Sequence, residues 1–249
     1  MEQLKNFDAG NTPTMIKQWR KIIRIGGYAA ILAFLLTLTD IIFGSISSGN
    51  LSELPHTALE KFFELKQNSL LGLYRLDLLN VIISIIMVPL YFSLFAVHCK
   101  SSLPYAAFAL VFAFIGTTVF VSANTALPML ELSNKYFAAG DETQRTLFAA
   151  AGEALIVRGE HGGLGVFIGF TLSTLSSILM SFVMLNGKVF KKVVSYFGII
   201  GNILLLIYVL LVTFVPSIEG IAVVIAAPGG LAVLVWLLMI GIKLINDQH

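Results

Sequence analysis

Hydrophobic positions in this chain come in long runs rather than in alternation. Apolar residues continue for about twenty positions near 22–43, 75–97, 103–123, 163–185, 193–214 and 228–244, with polar residues gathered between them. A helix needs ~20 apolar residues to cross a bilayer core. The period-two pattern of half-buried strands is missing. The pattern predicts an all-α polytopic membrane helical bundle with six transmembrane helices, in a single integral membrane domain over residues 1–249. Residues 1–21 read as a polar tail. The first run is too long, and begins too late, for a cleavable signal peptide, so it is expected to be retained.

Two loops carry helical periodicity of their own. Thr57-Ala-Leu-Glu60 has the spacing of a capping box. The helix it opens sets Ala58, Leu59, Phe62, Phe63 and Leu65 on one side and Glu60, Lys61, Glu64 and Lys66 on the other. This amphipathic helix is expected to lie on the membrane surface. The third span is expected to continue as helix past Asn124 and Pro128 towards Ala139, where Gly140 ends it. Asp141, with Gln144 three positions on, then caps an amphipathic helix over 142–158 whose apolar face is Leu147, Phe148, Ala151, Ala154 and Leu155. This long third loop is the expected lid. Between the second and third spans, His98 to Ser102 read as a short loop. The last span could run from Gly220 with a kink at Pro228, or start at Pro228; the second reading is preferred, because proline suits a first helical turn.

Composition agrees with the runs. The chain is 57% hydrophobic and 12% charged, with a mean hydropathy of +0.89, whereas soluble domains carry about 25% charged residues. The single cysteine, Cys99, excludes an internal disulfide framework. The four histidines are scattered, so neither a metal site nor a cofactor is expected. A net charge of +2 with no basic stripe gives no reason to expect nucleic acid. No phosphate-binding glycine loop and no nucleophile elbow is present.

Charge also suggests which way up the chain sits, because Lys and Arg concentrate in cytoplasmic loops. Ten of the 16 basic residues fall in the N-terminal stretch up to Arg24, the 98–102 and 186–192 turns and the C-terminal tail. That asymmetry predicts a plasma-membrane protein with both termini cytoplasmic.

In that orientation Asp40, Arg75, Asp77, Asn80, Asn124, Glu131 and His161 gather near the outer face, and these are the candidate ligand-binding residues. Asp77, Asn80 and Ser84 share one helix face. Arg75, two positions from Asp77, points elsewhere and is expected to reach Asp40, Glu131 or a lipid phosphate. A buried Asp40 must find a cation or take up a proton. The plain alternative is an Asp40–Arg75 ion pair that clamps the first two spans. Asn202 at mid-depth reads as an interhelical hydrogen bond, and Gly165-Val-Phe-Ile-Gly169 as a close-packing motif.

Several segments bear a family likeness. They are Tyr74-Arg-Leu-Asp77, Leu-Tyr-Phe at 90–92, Tyr136-Phe-Ala-Ala through Glu153-Ala-Leu, Gly162-Gly163, the start of the fifth span, and Pro228 through Trp236-Leu-Leu-Met-Ile-Gly241. With them the chain resembles a bacterial membrane family known as domain of unknown function 4386. The resemblance implies six spans and no established activity. Members often carry an acid shortly before the last-span tryptophan. Here that stretch is Gly229-Gly-Leu-Ala-Val, so a role for such an acid does not carry over.

Three functions compete. The favoured one is a binding or transport protein for a lipid or small amphiphile, with membrane lipids as partners and an outward polar site. The second is a structural or regulatory protein acting through helix contacts, a homo-oligomer included. The third, an intramembrane enzyme, would need Asp40 and Asp77 as its acid and base, and nothing else in the chain supports it.

Overall fold

The computed structural model describes residues 13–47, 56–159 and 163–246. They form α1 (Pro13–Ser47), α2 (Ala58–Gln67), α3 (Ser69–Arg75), α4 (Leu78–Ala123), α5 (Ala126–Ala138), α6 (Glu142–Gly159), α7 (Leu164–Asn186), α8 (Lys192–Phe214), a 3-10 turn (Pro216–Ile218) and α9 (Glu219–Asn246). The described residues hold no strand.

Helix α4 is two rods. Ser102 leaves helical geometry (φ −155, ψ 55) and Pro104 opens the second rod. The arms 78–101 and 103–123 run back to back, so that Asn124 Nδ2 donates to the Leu76 carbonyl at 2.9 Å. The 98–102 segment expected as a loop is therefore helical up to a one-residue break.

The long helices close a ring. Helix α1 packs on α4, α4 on α7, α7 on α8, α8 on α9, and α9 returns to α1. Close approach depends on small residues. A Cβ on Gly26 would sit 2.0 Å from Ser93 Oγ, and one on Gly169 would sit 2.7 Å from the Phe120 backbone nitrogen. The glycines of Gly165-Val-Phe-Ile-Gly169 thus fasten α7 to the second arm of α4 within the chain, where small-residue motifs let backbones meet. Outward-facing Leu35, Phe108, Phe114, Ile200 and Ile207 remain exposed. An apolar belt of that kind suits lipid rather than water. Among the described residues five helical stretches are long and apolar enough to cross a membrane, and one of them, 78–138, contains the fold-back at Ser102.

One end of the ring bears the 186–192 turn and the fold-back at Ser102; we call it the turn end. At the other, the cap end, four shorter helices pack together. Phe62, Leu65 and Ala58 of α2 bury against Met129 of α5 and Ile156 of α6. The capping box at Thr57 and Glu60 forms as expected. The Ala58 N–H donates to Glu153 Oε1 at 2.7 Å and Ser133 Oγ to the Phe62 carbonyl at 3.0 Å, which ties α2 to α6 and α5.

Four expectations change. Only part of the α2 apolar face stays open: Ala58, Phe62 and Leu65 are covered by α5 and α6, where Gly152 leaves room for Ala58 and Phe62, while Leu59 and Phe63 remain exposed. The third span does not continue past Asn124, whose extended backbone (φ −62, ψ 138) starts a new helix at Ala126. Helix α6, capped by Asp141 accepting from the Gln144 N–H at 2.8 Å, buries Gly152 and Ile156 and exposes Leu147. Its inner face is rotated because the cap needs a small residue against α2. Helix α9 runs unbroken through Pro228 from Glu219, so the reading that started it at Pro228 gives way.

Candidate functional site

The ring is not filled to its centre. A cavity of about 250 Å³ lies on its axis, walled by α1, α4, α7, α8 and α9. Half-buried Asp77 and Asn80 stand at the cap end, and buried Tyr91, Ser177 and Trp236 form the floor. From Asp77 to Tyr91 the first arm rises about 20 Å at 1.5 Å per residue.

Asp77 is placed by an unusual backbone. It is the one non-glycine residue with positive φ among those described (φ 68, ψ 20). The Leu76 and Asp77 N–H groups donate back to Gly72 and Tyr74 carbonyls at 3.0 and 2.9 Å, which ends α3 and begins α4 within two residues. Left-handed geometry costs an L-residue about 1 kcal/mol, and Asp tolerates it better than most. Glycine would be easiest there, so the carboxyl is kept at a position that disfavours it.

Asn80 gathers the acids. Its Nδ2 donates to Asp77 Oδ1 at 2.7 Å and lies 3.5 Å from Asp40 Oδ2. The Tyr74 hydroxyl donates to the Asp40 carbonyl at 3.2 Å. Burial, and then the nearby Asp40 carboxyl, push that hydroxyl up to about 12, so it stays a neutral donor. Below them Ser84 Oγ donates to the Asn80 carbonyl at 2.8 Å. Three of the seven candidates, Asp40, Asp77 and Asn80, are thereby brought together.

The others go elsewhere. Arg75 pairs with Glu64 on α2, not with Asp40, Glu131 or the cavity. The turn at Asp77 swings α3 over α2 and carries the guanidinium with it. That removes the Asp40–Arg75 clamp and makes Arg75 a cap residue. Asn124 is a staple between the arms, its Oδ1 accepting from the Ala126 N–H at 3.0 Å. Glu131 is exposed and pairs with Lys135 at 2.6 Å. His161 lies outside the described residues. Among the described residues, none of α5 or α6 lines the cavity.

The floor went unread in the sequence. Tyr91 shares a hydrogen bond with Ser177 of α7. Asn202 donates to its own helix at Gly198 (2.7 Å) instead of crossing to a neighbour, and its side lines the cavity. Trp236 is fully buried and its indole N–H has no partner. An unmade hydrogen bond at a buried donor costs about 1–3 kcal/mol. These residues sit in apolar runs and look like core; only the ring closure turns them inward.

The family model described as Domain of unknown function (DUF4386) matches residues 56–241, most of the chain. The chain belongs to that family. The DUF4386 match covers the capped loop helices, both arms of α4 and the cavity floor, whereas α1, which carries Thr37 and Asp40, precedes it. Neither a curated protein nor a solved structure matches the chain. Among the described residues no group of His, Cys, Asp and Glu could hold a metal ion.

Proposed function

We propose that the chain crosses the cell membrane six times, with both termini cytoplasmic, and binds or transports a lipid or small amphiphile. The ligand sits in the axial cavity, its polar group at Asp77, Asn80 and Asp40 and its apolar body along Ile83, Met87 and Val233. The cap end faces outward, because the turn end bears the excess of Lys and Arg. The observation that supports the reading is the cavity itself, which joins a polar mouth to an apolar wall in the manner of ligand sites.

Native mass spectrometry in mild detergent tests it. Wild-type protein is expected to retain a lipid or metabolite that Asp77→Asn and Ser84→Leu both lose. A chain that carries nothing, or a species indifferent to both changes, would remove the cavity from the account.

A further inference from the structure

The floor of the cavity is polar, as its mouth is. On each wall the lining residue nearest the turn end is Tyr91 on the first arm of α4, Thr117 on the second, Ser177 on α7, Asn202 on α8 and Trp236 on α9. All five are buried and none carries a charge. Two of them satisfy each other. The Tyr91 hydroxyl donates to Ser177 Oγ, which donates in turn to the Ser173 carbonyl at 3.1 Å.

Asn202 is left half satisfied. It is 5% exposed, and its Nδ2 donates to the Gly198 carbonyl of its own helix at 2.7 Å. That bond fixes which way the amide faces, because an oxygen in the same place would meet the carbonyl lone pairs. Oδ1 then accepts from no donor among the described residues, yet protein does not seal it, and the hollow is what Asn202 lines. Thr117, 9% exposed, is alike: its hydroxyl has no partner among the described residues and it stands on the cavity wall. Buried polar groups are normally satisfied, so exceptions beside a hollow call for an occupant. Shape narrows the choice. Along α8 the lining runs from Asn202 to Val212, about 15 Å at 1.5 Å per residue. A volume of about 250 Å³ drawn out over that length holds one unbranched chain rather than a two-chain lipid.

We propose that the floor is a second polar subsite, where Asn202 Oδ1 accepts a hydrogen bond from an uncharged hydroxyl or amide N–H at the inner end of a single-chain ligand. This rests on the amphiphile reading above and adds that the ligand is polar at both ends. The Thr117 hydroxyl offers a further donor or acceptor at the same depth. A charged inner end would be costly, since no lining residue at the floor could neutralise it.

Binding is read from Trp236 fluorescence in a Trp19→Phe background, which leaves one tryptophan. Two chains of equal length are titrated into detergent-solubilised protein. One is decanediol with a hydroxyl at each end; the other is undecanol, in which a methyl replaces one hydroxyl. Micelle partitioning is the same for every variant, so the quantity compared is the ratio of the two affinities. Asn202→Leu is expected to lower the diol-to-undecanol ratio about tenfold while undecanol still binds. Thr117→Val should lower it about threefold, and decides the matter should the first variant not fold. Ser84→Leu, nearer the mouth, should abolish binding of both chains. A ratio that the floor variants leave unchanged means that water meets Asn202, which overturns the subsite and leaves the amphiphile cavity standing. Binding of neither chain, or binding indifferent to Ser84→Leu, overturns subsite and cavity together.

Discussion

The two ends of the ring are built from the same helices, yet one is closely packed while the other holds a cavity. At the turn end Leu90, Leu94, Met180, Met184 and Ile240 are 0% exposed and pack into one another. A few turns away, the same first arm of α4 offers Ser84, Asn80 and Asp77 to an open space. The contrast follows from residue size and polarity. Flexible methionines and leucines fill the centre at the turn end, whereas short hydroxyls and an amide at the cap end leave it empty. In a bilayer, where lipid competes equally for apolar surface, helices hold together by packing and hydrogen bonds. The turn end therefore supplies the adhesion, and the cap end is free to keep a hollow.

Truncating the plug should cost most. Leu94→Ala leaves a void at the closed end and is expected to destabilise by about 2–5 kcal/mol, read as a fall in the thermal midpoint in detergent. Ser84→Leu makes the opposite change at the open end: the midpoint should hold or rise while ligand retention falls. If both substitutions lower the midpoint alike, the two ends do not differ as described.

The cap can be broken on its own. A side chain at position 152 meets Ala58 Cβ at 2.7 Å and Phe62 Cζ at 2.8 Å, so Gly152→Val should cost about 1–3 kcal/mol of local packing. Hydrogen exchange should accelerate over 58–67 and 142–159 and stay unchanged over 164–214. Acceleration throughout would make cap and bundle a single cooperative unit.

The smallest effect lies at the start of α2. Thr57→Ala removes a cap worth about 1 kcal/mol. Its partner Glu60 has a pKa held below the ordinary carboxylate value by hydrogen bonds from the Thr57 and His56 N–H groups. A depressed folded pKa means that the contribution is present above the unfolded value of 4.5 and is lost as pH falls through the lower folded value. Exchange protection of α2 should therefore weaken in mild acid, and Glu60→Gln should flatten that dependence.

Much of this architecture was legible before any coordinates. Runs of apolar residues marked the rods, and both loop caps were readable because their chemistry is local, three residues from donor to acceptor. What escaped depends on contacts distant in sequence. Nothing in Arg75 announces Glu64, since the pairing exists only after α3 turns back on α2. The break at Asp77 is hidden because Arg-Leu-Asp-Leu-Leu continues a helical pattern, and only the backbone angle reveals it. Tyr91, Asn202 and Trp236 face the hollow, but in an apolar run a side turned to a cavity reads like one turned to core. Of the candidate residues, the Asp40–Asn80–Asp77 group was visible as a polar cluster, and its link to a deep cavity was not.

Cysteine accessibility tests the contrast between the ends most directly. In a Cys99→Ser background the chain has no other cysteine, so a thiol can be introduced at one position at a time. A water-soluble maleimide added outside intact cells is expected to label Ser84→Cys and to leave Leu94→Cys unreacted. Labelling at neither position, or equally at both, would contradict a cavity that opens at the cap end above a closed plug.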